Sequence, residues 1–197
     1  MAVLPLRGAA KPSGFGYYQP MSNTTISALV AELAELLLER QLLLATAESC
    51  TGGGIAQALT GLAGSSDWFD SGFVTYSNAA KQRLLQVPTG YLATDGPGAV
   101  SEEVVLAMTE GAIANSQAQL AVAVSGIAGP DGGSAAKPVG TVWIAWQWDK
   151  QASARCFHFP GDREAVRQAT VVEALRGCVA LLRGEAIKGG SDGKGRR

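Results

Sequence analysis

One histidine and three cysteines are all that this chain offers in soft or imidazole metal ligands. Cys50, Cys156, Cys178 and His158 lie far apart and lack the paired spacing of a zinc site or a disulfide framework, so neither is expected. Unpaired thiols fit a reducing compartment, and the expected location is the cytoplasm. Excess charge of one sign is also missing. Sixteen Lys and Arg against 17 Asp and Glu leave a net charge of −1, without the basic surface that nucleic-acid binding needs. Only the C-terminal end, with Lys188, Lys194, Arg196 and Arg197, is locally basic. There is no Gly-x-x-x-x-Gly-Lys-Ser/Thr stretch, which removes the P-loop phosphotransferases. Apolar runs are short and broken by polar residues, so no membrane partner is expected. Residues 1–20 carry Arg7 and Lys11 but lack the continuous apolar core of a secretory signal.

What is present is an ordinary globular composition, 47% hydrophobic and 17% charged over 197 residues, enough for one domain with a real core. Residues 1–22 read as an extension, or as sequence ahead of a start at Met21. Residues 184–197 read as a glycine-rich basic tail, and 23–183 as the folded domain. Within it, Ile26, Leu29, Val30, Leu33, Leu36 and Leu37 recur at helical spacing, with Glu32, Glu35 and Glu39 on other faces. Leu42–Ala47 reads as a buried strand, Ile55–Leu62 as a helix, Ser71–Tyr76 as a strand and Asn78–Leu85 as a helix. Ser101 is an N-cap, with Glu102 and Glu103 suiting the start of a helix that runs to about Asn115. The apolar run Leu120–Val124 predicts an interior strand, and Thr141–Trp148 with Ala154–Phe159 a hairpin. Arg163–Leu182 is the last helix, with Val166, Ala169, Val172, Leu175 and Val179 inward. The order predicts a three-layer α/β/α domain around a mixed, mostly parallel sheet of about five strands, one of them antiparallel.

Two glycine-rich segments follow predicted strands, and ligands of such sheets collect at the carboxyl ends of strands. The first is Glu48-Ser49-Cys50-Thr51-Gly52-Gly53-Gly54. It puts a hydroxyl and a thiol where a strand meets a helix N-terminus, whose free N–H groups suit an anion or a developing oxyanion. Its glycines let the backbone approach a ligand, so Cys50, Thr51, Gly52 and Gly53 are read as substrate-binding. The second, Ser125 to Ser134, brings Ser125, Gly126 and Gly129 to the same rim.

Ser49 is the candidate nucleophile and needs a base within hydrogen-bond reach. His158 sits in an alternating strand between Phe157 and Phe159, where a structural role is the commoner one. Lys81 lies just past a predicted strand, in the first turn of a helix whose dipole disfavours positive charge. Partial burial would lower its pKa further toward that of a base. Cys50 competes as nucleophile, but thiol enzymes pair the thiol with histidine, so Ser49 is preferred. Tyr76 supplies a hydroxyl to the same rim or packs as a strand residue. Arg163 opens the last helix and suits a phosphate or carboxylate, or serves as a surface charge beside the Asp162 cap.

Six segments occur in order: Thr46-Ala47-Glu48-Ser49-Cys50-Thr51-Gly52-Gly53, Tyr76-Ser77-Asn78-Ala79-Ala80-Lys81, Gly98-Ala99-Val100-Ser101, Ser125 to Gly133, Lys137-Pro138-Val139-Gly140-Thr141-Val142 and Gly161-Asp162-Arg163. Together they resemble the CinA C-terminal domain family, whose active members are nicotinamide-nucleotide amidases, and the resemblance covers about Thr25 to Leu182. It implies hydrolysis of the carboxamide of nicotinamide mononucleotide to nicotinate mononucleotide and ammonia, with no cofactor or metal, by a homodimer. It implies Ser49 as nucleophile, Lys81 as its base, Tyr76 assisting, and Ser125 with its glycine loop and Arg163 orienting the substrate. The alternative is a catalytically silent nucleotide- or partner-binding module on the same fold.

Overall fold

A computed structural model describes residues 23–192. The elements are α1 (Asn23–Arg40), β1 (Leu44–Glu48), α2 (Gly54–Thr60), β2 (Phe69–Val74), α3 (Asn78–Leu85), α4 (Glu102–Ala114), β3 (Leu120–Gly126), β4 (Thr141–Trp148), β5 (Gln151–His158), α5 (Arg163–Arg183) and β6 (Ser191–Asp192). They agree in kind and order with the sequence reading, with ends displaced by a few residues. The exception is β6, a two-residue strand in the stretch read as tail, which pairs antiparallel with β5.

Strand order in the sheet is β2-β1-β3-β4-β5-β6. β2, β1 and β3 are parallel, and β4 is antiparallel to both β3 and β5. Of the five longer strands, four therefore run one way and β4 alone opposes them. The carboxyl ends of β1, β2, β3 and β5 all reach the same rim, which brings the segments after them together.

The central strands are buried on both faces, and their alternation sorts side chains by size. Leu44, Leu120, Val122, Val124, Val142, Ile144 and Trp146 face the layer of α1, α2 and α5. Ala45, Ala47, Ala121, Ala123 and Ala145 face α4, where Val104, Val105 and Met108 fill the space the alanines leave. A period of two separates these sets, so the sheet has a bulky face and a flat one.

Helix starts follow local chemistry. Ser77, Ser101 and Asp162 cap α3, α4 and α5, each side chain accepting from a backbone N–H three residues on. On the bulky face, the Trp146 indole N–H donates to the Ala174 carbonyl of α5 at 2.8 Å. Gly177, one turn later, leaves room for that ring, since a Cβ there would overlap the indole. Gly177→Ala is therefore expected to destabilise the fold by about 3 kcal/mol. For a domain of this size that is a melting-temperature drop of roughly 6–12 °C by calorimetry; an unchanged melting temperature would show that the helix can shift away freely.

Candidate active site

Ser49 is the first residue past β1, and its N–H still donates to the Val124 carbonyl of β3 at 3.1 Å. Its neighbour in β1, Glu48, organises the turn that follows. The buried Glu48 carboxylate accepts from the Thr51 hydroxyl at 2.7 Å and from the N–H groups of Gly53, Ile55 and Ala56 at 3.0, 3.0 and 2.8 Å. Thr46 Oγ1 adds a longer contact of 3.4 Å. The α2 N-terminus is thus satisfied from inside the protein. This corrects the expectation that its free amides would face an oxyanion, because Glu48 reaches them from within the sheet layer.

Lys81 enters from the other side of β1. The caps and backbone of α3 place it one turn into the helix, and its side chain is 1% exposed. Nζ lies 2.9 Å from Ser49 Oγ and donates to the Thr75 carbonyl, just past β2, at 2.8 Å. Burial pulls its pKa from 10.5 down to about 8. The buried amine therefore gives up its proton more readily than an exposed lysine does. The Cys50 thiol moves the other way. Burial, aided by the nearby Glu48 charge, pushes it up to about 12, so it stays protonated at neutral pH.

A cavity of about 270 Å3 opens at this point. Ser49, Cys50, Tyr76, Lys81, Ser125, Gly126, Gly129 and Arg163 all line it, so residues spread over more than a hundred positions meet. Thr51, Gly52 and Gly53, read as substrate-binding, do not. The Thr51 hydroxyl and the Gly53 N–H are turned to Glu48, and the Thr51 carbonyl accepts from Arg167 on α5 at 2.9 Å. Gly52 and Gly53 instead provide the left-handed backbone, φ 61° and 96°, that the turn requires.

Tyr76 is 60% exposed at the cavity mouth, and its hydroxyl accepts from Arg163 Nη2 at 2.9 Å rather than touching Ser49 or Lys81. Arg163 Nη1 donates to the Gly129 carbonyl at 2.9 Å, so the guanidinium ties the β2 end to the loop after β3. Ser125 donates its hydroxyl to the Ala99 carbonyl at 2.7 Å, drawing the 98–101 segment over the rim. Lys137 reinforces this by donating to the Pro97 carbonyl at 2.8 Å. His158 has an exposed side chain at the end of β5 and does not line the cavity.

Sequence reasoning left several residues of the site without an individual role. Glu48 stood inside the quoted motif without a role, although a lone carboxylate in an apolar strand just before a helix was a signal. Asp131 and the pair Ala99–Val100 also line the cavity. Both lie inside segments that carry the family resemblance, but their place at the cavity depends on how two loops fold over the sheet.

The fold and site together define a three-layer α/β domain in which a buried lysine is hydrogen-bonded to a serine at the carboxyl rim of the sheet. The chain belongs to the CinA C-terminal domain family, whose model matches residues 26–182. Among similar proteins is the nicotinamide-nucleotide amidohydrolase PncC of Pseudomonas putida, 55% identical over 79% of this chain and 96% of its own. The PncC of Escherichia coli K12 is 46% identical over 79% of this chain and 94% of its own. A solved structure of the competence/damage inducible protein CihA from Agrobacterium tumefaciens superposes with a TM-score of 0.77 at 45% identity, covering 80% of this chain and 95% of that one.

Removing the carboxylate in Glu48→Ala strands three backbone donors and a hydroxyl in the interior. At about 1–3 kcal/mol for each buried group left unpaired, the expected loss is at least about 3 kcal/mol, read from urea unfolding. A loss under about 1 kcal/mol would mean that water replaces the carboxylate.

Proposed function

We propose that this chain hydrolyses the carboxamide of nicotinamide mononucleotide, giving nicotinate mononucleotide and ammonia, with Ser49 as nucleophile and Lys81 as base. The observation that carries the reading is the 2.9 Å approach of Lys81 Nζ to Ser49 Oγ inside a cavity of about 270 Å3. The names of similar relatives supply the substrate.

Neutral Lys81 takes the Ser49 proton as Oγ attacks the amide carbon, and the carbonyl electron pair moves onto oxygen. The resulting ammonium of Lys81 protonates the amide nitrogen as the oxyanion collapses, so ammonia leaves and an ester on Ser49 remains. Water then attacks that ester while Lys81 accepts its proton. The second collapse returns the proton to Ser49 Oγ and frees the carboxylate. The Thr75 carbonyl holds the amine in line through both halves. Arg163, already fixed by Gly129 and Tyr76, presents a preoriented guanidinium edge to the phosphate.

Ammonia release from the nucleotide tests the reading. Ser49→Ala and Lys81→Ala are expected to lower kcat by roughly 1,000-fold or more, and His158→Ala by less than about twofold. A silent binding module would bind the nucleotide and release no ammonia, and comparable loss in His158→Ala would move the base to histidine.

The pH profile checks the base separately. Because burial lowers the Lys81 pKa, the active neutral amine grows as pH rises, so kcat/KM should climb through pH 7 and level off above about 8. A rate that falls across that interval rules out lysine as the base.

Arg163→Ala should raise KM for the nucleotide about tenfold or more while leaving that for the riboside, which lacks the phosphate, nearly unchanged.

A further inference from the structure

We infer that the oxyanion formed during attack by Ser49 is held by two backbone N–H groups from different strand ends, those of Cys50 and Ala128. The inference rests on the amide-hydrolase reading and assigns atoms within the same site. Attack by Oγ forms one C–O bond, sends the carbonyl π pair to oxygen and the serine proton to Lys81, and leaves a full negative charge that needs fixed donors. The donors nearest in sequence, in the first turn of α2, are consumed by Glu48.

Buried backbone N–H groups without an acceptor are rare, because each one costs the free energy of a lost hydrogen bond. Among the described residues, no backbone or side-chain oxygen accepts the N–H of Cys50 or of Ala128. Cys50 and Ala128 are only 5% and 4% exposed, and both line the cavity that holds Ser49. Of the amides around them, Ser49 N–H goes to Val124, Gly52 N–H to Ser49, and Ile127 N–H to Thr141 at 2.9 Å. Thr51, whose N–H also has no oxygen acceptor, does not line the cavity, and Gly129, in the same condition, follows Ala128 along the loop. Gly140 N–H in turn donates to the Ile127 carbonyl at 2.8 Å. This clamps the residue before Ala128 to the start of β4 and makes Ala128 the first amide past that ladder without an acceptor.

Topology separates the two tasks. β1 lies between β2 and β3, so Lys81, anchored on Thr75 past β2, approaches Ser49 from one side. Ala128, two residues past β3, approaches from the other. The Cys50 N–H belongs to the peptide that joins it to Ser49 and therefore moves with the nucleophile. Proton transfer and charge stabilisation thus act from opposite flanks without competing for Lys81.

The test removes one N–H at a time by amide-to-ester exchange: lactic acid in place of Ala128, and lactic acid at position 50 compared with Cys50→Ala. Each exchange should lower kcat for ammonia release from nicotinamide mononucleotide about 100-fold, with KM within about twofold. An unchanged kcat in either ester variant, with the unmodified protein active, overturns the assignment and leaves the amidase reading standing. Unmodified protein that releases no ammonia overturns the amidase reading instead. A second measurement uses the unmodified protein, crystallised with pyridine-3-boronic acid as a tetrahedral mimic on Ser49. A boronate oxygen about 2.7–3.1 Å from both the Cys50 and Ala128 nitrogens supports the inference. An adduct whose oxygens point elsewhere, or no adduct, overturns it whether or not the ester variants fold.

Discussion

The buried carboxylate of Glu48 is the constraint on which the rest of the site depends. It sits fully buried at the end of a strand, where a carboxylate is tolerated only when the protein supplies the hydrogen bonds. It obtains them by winding the next eight residues around itself, so that Thr51, Gly53, Ile55 and Ala56 all point inward. That winding fixes where Ser49 leaves the sheet and where α2 begins. It also decides what the site can use: with the α2 amides turned to Glu48, the electrostatics of the cavity are left to Lys81, Arg163 and the backbone beyond β1 and β3.

The second determinant is the layered sheet. Its alanine face lets α4 lie close, while its bulky face carries α1, α2 and α5 around Trp146. With four of five long strands running one way, the chain returns to the same rim after β1, β2, β3 and β5. Ser49, Lys81, a glycine loop and Arg163, distant in sequence, meet there. Lys81 is the energetic exception. Burying an ammonium is unfavourable, and the protein meets that cost by letting the amine lose its proton more easily, which is the property a base requires.

Much of the fold was legible because its signals are local. Helical periodicity marked α1 and α5, the apolar run Leu120–Val124 marked the interior strand, and Ser101 and Asp162 marked helix starts. Ser49 and Lys81 were legible as chemistry, a hydroxyl and an amine each just past a strand. The role of Glu48 was not read, because the same sequence also suits a helix start with free amides. Thr51, Gly52 and Gly53 were read as facing the ligand on the strength of residue type, whereas their side chains and amides face inward or set a turn. Tyr76 was assigned to the nucleophile's neighbourhood, and its hydroxyl meets Arg163.

The sequence by itself determined the elements, their order, the cavity's glycine-rich walls and the family. The first three follow from periodicity, capping chemistry and backbone freedom, all of which act within a few residues, and the family follows from the resemblance of six ordered segments. Only the tertiary structure decided that Lys81 reaches Ser49, that Arg163 is held by Tyr76 and Gly129, and that Glu48 withdraws the α2 amides from the cavity. Each of those depends on distances between separate strands, and such distances are set by packing of the whole sheet.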